Sequence, residues 1–180
     1  MKLSDSRVIN ADVATVWAGL LDPDVLKACV PGCTEMSGDA QSGFEATVVQ
    51  KVGPIKATFK GEVEISNTVE HQSLTLSGAG KGGAAGYARG GADVSLEADG
   101  NTTVLHYEVD AKVGGKLAQL GSRVVDGFAK KMANQFFENF SDAVGNVQPE
   151  AAAPISEEIE PVTVVKKSWF SRLFGKKINQ

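Results

Sequence analysis

Apolar and polar residues alternate along this chain with two different periods, and the changes of period mark its elements. Val13, Val16, Trp17, Leu20 and Leu21 share one face at 3.6 residues per turn, which predicts a short helix capped within Asn10-Ala11-Asp12. Pro23 starts a second short helix through Val25 and Leu26, and Pro31-Gly32 stops it. From Gly43 the period is two. Phe44, Ala46, Val48 and Val52 alternate with Glu45, Thr47 and Lys51, and Ile55, Ala57, Phe59, Val63 and Ile65 alternate with Lys56, Thr58, Lys60, Glu62 and Glu64. Leu74 and Leu76 follow, then Ala92, Val94 and Leu96, then Leu105, Tyr107, Val109 and Val113. These runs read as half-buried antiparallel strands, with Asp99-Gly100-Asn101 turning between the last two.

The helical period then returns. Leu117, Leu120, Val124, Phe128, Met132, Phe136 and Phe140 recur every three or four residues, flanked by Val125, Phe137 and Val144. Gly121 and Gly127 weaken this long helix by about 1 kcal/mol each relative to Ala, and allow a bend or a close backbone approach. The predicted order is strand, two short helices, five or so antiparallel strands and one long helix. This is an α+β fold, a curved antiparallel sheet wrapped around a long C-terminal helix. Such an arrangement tends to leave a tapered cavity. The side chains expected to line it are Phe44, Val48, Phe59, Leu76, Leu105 and Tyr107 from the sheet, with Leu120, Val124 and Phe128 from the helix. Tyr107 shares a face with Leu105 and Val109, so its hydroxyl needs an interior partner, either a backbone carbonyl or a ligand carbonyl.

Beyond the long helix the pattern is lost. Residues 147–165 are rich in Pro, Ala and Glu and read as a disordered linker, with an end-to-end distance of about 25 Å. Residues 166–180 are different again. Trp169, Phe170, Leu173 and Phe174 fall within an arc of roughly 140° on a helix, among the cations Lys166, Lys167, Arg172, Lys176 and Lys177. Ser168 suits an N-cap and Gly175 a stop. Two turns are too short to be stable alone in water. An anionic bilayer would take up the rings while the cations meet headgroups. Each ring or Leu contributes about 1.5–3 kcal/mol and each cation about 1 kcal/mol, less the cost of ordering, so the expected attachment is reversible. A groove on a partner protein is the other surface such a peptide fits.

Charge sharpens this division. Residues 1–147 carry a net −5, residues 148–165 a net −4 and residues 166–180 a net +5. An acidic body excludes general nucleic-acid binding. Met1–Arg7 has no apolar signal-peptide segment, and no run approaches the roughly 20 apolar residues that span a bilayer. The expected location is cytoplasmic, peripheral at the inner face of the cell membrane. Cys29 and Cys33, spaced C-x3-C, are expected as free thiols, and with His71 and His106 far off in sequence no metal site is expected.

Catalytic patterns are few. Gly78-Ala79-Gly80-Lys81-Gly82-Gly83 fits G-x-G-x-x-G, but strand pattern lies on both sides and Gly82 replaces the Ser or Thr of a phosphate loop. The seven glycines between Gly78 and Gly91 read instead as a flexible hairpin, either a plain turn or a moving gate. No Ser/His/Asp or Cys/His set forms at a recognisable spacing.

Val13-x-x-Val16-Trp17-x-x-Leu20-x-Asp22-Pro23-x-x-Leu26, with Cys29-x-Pro31-Gly32-Cys33, resembles the opening of START-like (SRPBCC) helix-grip proteins. Gly114-Gly115-Lys116-Leu117-Ala118-x-Leu120-Gly121-Ser122-Arg123 and Ala129-Lys130-Lys131-Met132 resemble the CoxG family of carbon monoxide dehydrogenase subunits, and the similarity covers about residues 1–145. The resemblance implies a helix-grip domain over residues 1–146 with an internal hydrophobic cavity. It implies an accessory, non-catalytic role beside molybdenum hydroxylases such as aerobic carbon monoxide dehydrogenase. The roles it suggests are recruiting the enzyme to the membrane and handling a lipophilic electron carrier such as a quinone. No covalent cofactor and no catalytic residue come with it. Two other functions stay open: an assembly factor docking on the hydroxylase through the tail, and a small cyclase- or hydrolase-like enzyme. The enzyme would need a polar pair deep in the cavity, and His106 and Tyr107, adjacent on a strand, cannot both face inward.

Overall fold

Two aspartates start the helices that follow the first strand, β1 (Lys2–Ile9). Asp12 accepts from the Thr15 N–H at 3.0 Å and from Thr15 Oγ1 at 2.8 Å, opening α1 (Val13–Leu21). The Thr15 N–H does most to hold the Asp12 carboxyl below its usual range, with the Thr15 hydroxyl next. Asp22 accepts from the N–H groups of Asp24 and Val25 and opens α2 (Pro23–Cys29), with Pro23 in the first turn where no intrahelical donor is needed.

The computed structural model describes residues 1–145. Six further strands follow α2: β2 (Cys33–Asp39), β3 (Gly43–Val52), β4 (Ile55–Val69), β5 (Ser73–Lys81), β6 (Tyr87–Asp99) and β7 (Thr102–Gly114). They form a continuous antiparallel meander, and β1 returns to pair with β7, giving the order β1-β7-β6-β5-β4-β3-β2. The chain between the two sheet edges is α1 and α2, so these helices must cross the sheet. After β7 come α3 (Lys116–Gln119) and α4 (Ser122–Gly145), and α4 packs against α1, α2 and β1.

The packed core lies where these helices meet the sheet. Ile9, Val16, Leu105 and Phe140 are almost wholly buried there, each contributing about 1.5–3 kcal/mol through area removed from water. Gly19 lets α1 approach α4, since a Cβ at that position would stand 2.7 Å from Val144 Cγ1. Two polar bonds pin the layers. Buried Thr103 donates from Oγ1 to the Ala11 carbonyl at 2.8 Å, and Asn139 donates from Nδ2 to the Cys29 carbonyl at 3.0 Å, tying α4 to α2.

The structure corrects three expectations. Six strands follow the short helices instead of five or so, because β2 holds a single large apolar residue, Met36, and its register shifts near Cys33 and Glu35. The long helix is two helices. Gly121 sits at φ +84°, a left-handed conformation open to glycine, and ends α3 before α4 begins. After that break the deepest residues of α4 are Val125, Phe137, Phe140 and Val144, whereas Val124 is 39% exposed. The glycine-rich stretch is mostly ladder: Gly78 and Gly80 belong to β5, Gly90 and Gly91 to β6, and Gly78 pairs with Gly90. Only residues 82–86 turn, around a 3-10 segment at Gly83–Ala85. The boundary after residue 146, the linker 147–165 and the tail 166–180 lie outside the described residues.

Candidate functional site

Alternate residues of each strand face the helices, and on β5 and β6 they change from large to small along the strand. On β5 the inward positions run Leu74, Leu76, Gly78, Gly80; on β6 they run Leu96, Val94, Ala92, Gly90, Ala88. Adjacent β7 runs Leu105, Tyr107, Val109, Ala111 in matching register. At the large end Phe140 and Val144 of α4 fill the space against the sheet. At the small end the same depth is left unfilled.

The result is a cavity of about 370 Å³, within the range that encloses small ligands. Its helical wall is Leu20, Leu26, Met132, Ala133, Phe136 and Phe137. Its sheet wall is Phe44, Val63, Leu74, Leu76, Val94, Leu105 and Tyr107, with Met36, Ala46, Ala92 and Val109 leading outward. An adjoining trough of about 430 Å³ shares Val30, Met36, Ala46, Val63, Leu76, Ala92 and Val109 with it. The trough runs on across Val48, Phe59, Gly78, Gly80, Ala88 and Ala111 and opens to solvent. Cavity and trough together form one apolar channel over the sheet.

Tyr107 is the one residue of the cavity wall whose side chain carries a hydroxyl, amide or charge. It is 5% exposed and stacks on Phe137 with ring centres 4.8 Å apart and 28° between planes. Its hydroxyl has no hydrogen-bond partner among the described residues. Nearby, Arg7 of β1 pairs with Asp5 at 3.0 Å, donates to the Asn134 side chain of α4 and lies 5.9 Å from the Phe137 ring centre. Arg7 therefore bridges the sheet edge to the helix beside the cavity.

Of the expected lining residues, Phe44, Leu76, Leu105 and Tyr107 stand in the cavity wall, and Val48 and Phe59 line the trough. Leu120, Val124 and Phe128 lie in neither wall. Leu120 and Val124 approach the β3–β4 turn instead, where a Cβ at Gly53 would be 3.9 and 3.5 Å from their side chains. The break at Gly121 turns this part of the helix away from the channel. Sequence reasoning missed Val30, Pro31 and Met36 as lining; Val30 and Pro31 follow the end of α2, and Met36 lies on β2, whose pattern carries no alternation. Alternation alone marks Val94 and Val109 as inward. The tail residues Lys166, Lys167, Trp169, Phe170, Arg172, Leu173, Phe174, Lys176 and Lys177 lie outside the described residues.

The site's chemistry is apolar containment with one hydroxyl. Apart from Tyr107 the cavity wall presents no titratable group. Cys29 and Cys33 are free thiols, and burial pushes both above the usual thiol range, which disfavours the reactive thiolate. Among the described residues no three His, Cys, Asp or Glu side chains converge to hold a metal, and no helix is long and apolar enough to cross a membrane.

The model of the CoxG family, a family of carbon monoxide dehydrogenase subunits, matches residues 6–145. No curated protein matches the sequence. Among solved structures, a conserved protein from Geobacillus kaustophilus is 25% identical, with a TM-score of 0.75 over 80% of this chain and 95% of its own. A protein from Chromobacterium violaceum, 13% identical, gives a TM-score of 0.59 over 80% of this chain and 97% of its own. A Thermus thermophilus protein gives 0.59 at 13% identity, with the same coverages. The helix-grip arrangement is common to them.

Proposed function

Because this chain belongs to the CoxG family of carbon monoxide dehydrogenase subunits, an accessory role associated with carbon monoxide dehydrogenase follows, and we propose what that role consists of. The protein recruits a molybdenum hydroxylase of the carbon monoxide dehydrogenase type to the inner face of the cytoplasmic membrane. It carries a lipophilic molecule, a quinone, in its channel, and it does so without catalysing a reaction. The observation that carries this reading is the apolar cavity whose wall carries one hydroxyl, that of Tyr107, and which adjoins an open trough. A quinone is a flat ring with carbonyl acceptors on an apolar substituent. In the channel the Tyr107 hydroxyl donates to a ring carbonyl, Phe136 and Phe137 lie against the ring, and the trough holds the substituent. Burying that surface drives uptake, and the hydroxyl supplies orientation.

Tail attachment is the second half of the reading. The aromatic and basic residues 166–177 bind anionic headgroups reversibly, which keeps the body near a bilayer that stores quinones. The test measures both halves on the purified chain. Quinone at 100 times its dissociation constant should stabilise the fold by about 2.7 kcal/mol, read as a rise in melting temperature. Removing residues 166–180 should weaken binding to anionic vesicles by roughly a hundredfold or more, on the order set by four apolar and five basic side chains. No thermal shift with any quinone would remove the carrier half. Unchanged vesicle binding by the shortened chain would remove the tail.

A further inference from the structure

The cavity wall is poor in hydrogen-bond acceptors. Of the side chains that line it, Tyr107 alone offers an oxygen, and the thioethers of Met36 and Met132 accept only weakly. Among the described residues no carboxylate, amide side chain or imidazole lines the space. The strand carbonyls beneath it are taken by the ladder, in which Tyr107 pairs with Val94 and Val94 with Leu74. Two loop carbonyls at the wall are engaged as well. Val30 accepts from the Cys33 N–H at 3.1 Å, and Pro31 accepts from the side-chain amide of Gln50.

This shortage separates the two redox forms of a quinone. The oxidised ring carries two carbonyl oxygens, which only accept. Adding two electrons and two protons turns both into hydroxyls, each with a proton to donate. In water or at a bilayer surface both hydroxyls find acceptors. In the cavity one can donate to the Tyr107 oxygen, and the other meets nothing of comparable strength. Folded proteins tolerate a buried carbonyl with a free lone pair more readily than a buried donor without a partner, which carries its full desolvation cost. The oxidised ring leaves one carbonyl unbonded. The reduced ring leaves an orphaned O–H.

We propose that the cavity selects its cargo by oxidation state, taking up the quinone and releasing the quinol. The inference rests on the carrier half of the function proposed above and gives it a direction. A carrier with this preference serves the reaction that reduces the quinone, with the accompanying hydroxylase as donor of the two electrons, because affinity falls once the ring is reduced. It does not serve the reaction that reoxidises the quinol. The selecting feature is the apolar wall around Tyr107, and not the Tyr107 hydroxyl itself.

The test titrates the full chain with decylubiquinone, a benzoquinone with a straight decyl chain, and, in the absence of oxygen, with decylubiquinol. The quinone should bind at least about tenfold more tightly. By linkage, the midpoint potential of the bound couple should fall by about 30 mV for each tenfold, the conversion for two electrons. Tyr107→Phe should weaken both forms and keep or widen the preference, because the apolar wall remains. Equal affinities, or a tighter quinol, overturn the proposal and leave the carrier reading standing, with the ring oxygens outside the cavity. A preference that vanishes in Tyr107→Phe also overturns it, since the hydroxyl and not the wall would then discriminate. If neither form binds, the inference falls together with the carrier half.

Discussion

The two ends of the sheet's inner face are built from the same strands and do opposite things. At one end Leu74, Leu96, Leu105 and Ile9 meet Trp17, Phe140 and Val144, and the helices fill every gap. At the other end the same strands present Gly78, Gly80, Ala88, Gly90 and Ala111, which line the open trough. Large residues bind the layers together, and small ones hold them apart without loosening the ladder, because strand pairing depends on the backbone and not on what the inner face carries. Stability and cargo space are thus divided along the length of the strands. A single sheet provides both because size, not polarity, changes along it.

The largest effect that tests this division is at the packed end. Phe140→Ala removes a ring with no exposed surface, and the expected loss is about 3–5 kcal/mol in denaturant unfolding, since the surrounding layers cannot collapse onto the gap. A loss below about 1 kcal/mol would mean that the two ends are equally loose, and the comparison would fail. The matching change at the open end is Ala92→Phe. Ala92 lines both cavity and trough, so the new ring enters empty space. Stability should change by less than about 1.5 kcal/mol, the range for substitutions that a site can accommodate. Quinone-induced stabilisation should disappear, because the channel is blocked where its two parts join.

Much of this division is legible in the chain. Alternation from Gly43 to Val113 gives the inward residues of five strands, and Leu74-x-Leu76-x-Gly78-x-Gly80 states the gradient outright. What alternation cannot supply is register. That Gly78 lies against Gly90, and Lys60 against Lys81, depends on turn lengths and on pairing across strands distant in sequence. The glycine-rich stretch reads as a loop because glycine has little preference for strand. It forms ladder because β4 and β7 pair with it from both sides, and a Cβ at Gly78 would stand only 2.6 Å from the Glu62 carbonyl oxygen. The error at Leu120, Val124 and Phe128 has a similar origin. Two apolar lines run along residues 117–144, and a local pattern cannot choose between them. Gly121 breaks the helix, and packing of Phe137 and Phe140 on the sheet decides the phase.

The smallest effect lies at the boundary between the two ends, where Tyr107 stands with Leu105 on the packed side and Val109 on the open side. Tyr107→Phe keeps the ring and its stacking on Phe137 and removes only the hydroxyl. Since that hydroxyl has no partner among the described residues, the fold should be nearly unchanged, because no hydrogen bond within the protein is lost. Ligand binding should respond where the fold does not. A quinone loses one neutral hydrogen bond of about 0.5–1.5 kcal/mol, so its dissociation constant should rise roughly twofold to tenfold. A saturated hydrocarbon of similar size makes no such bond and should bind equally well to both proteins. If the substitution destabilises the fold instead, the hydroxyl belongs to the packed end. If quinone and hydrocarbon weaken alike, the cavity selects by volume alone and Tyr107 sets no orientation.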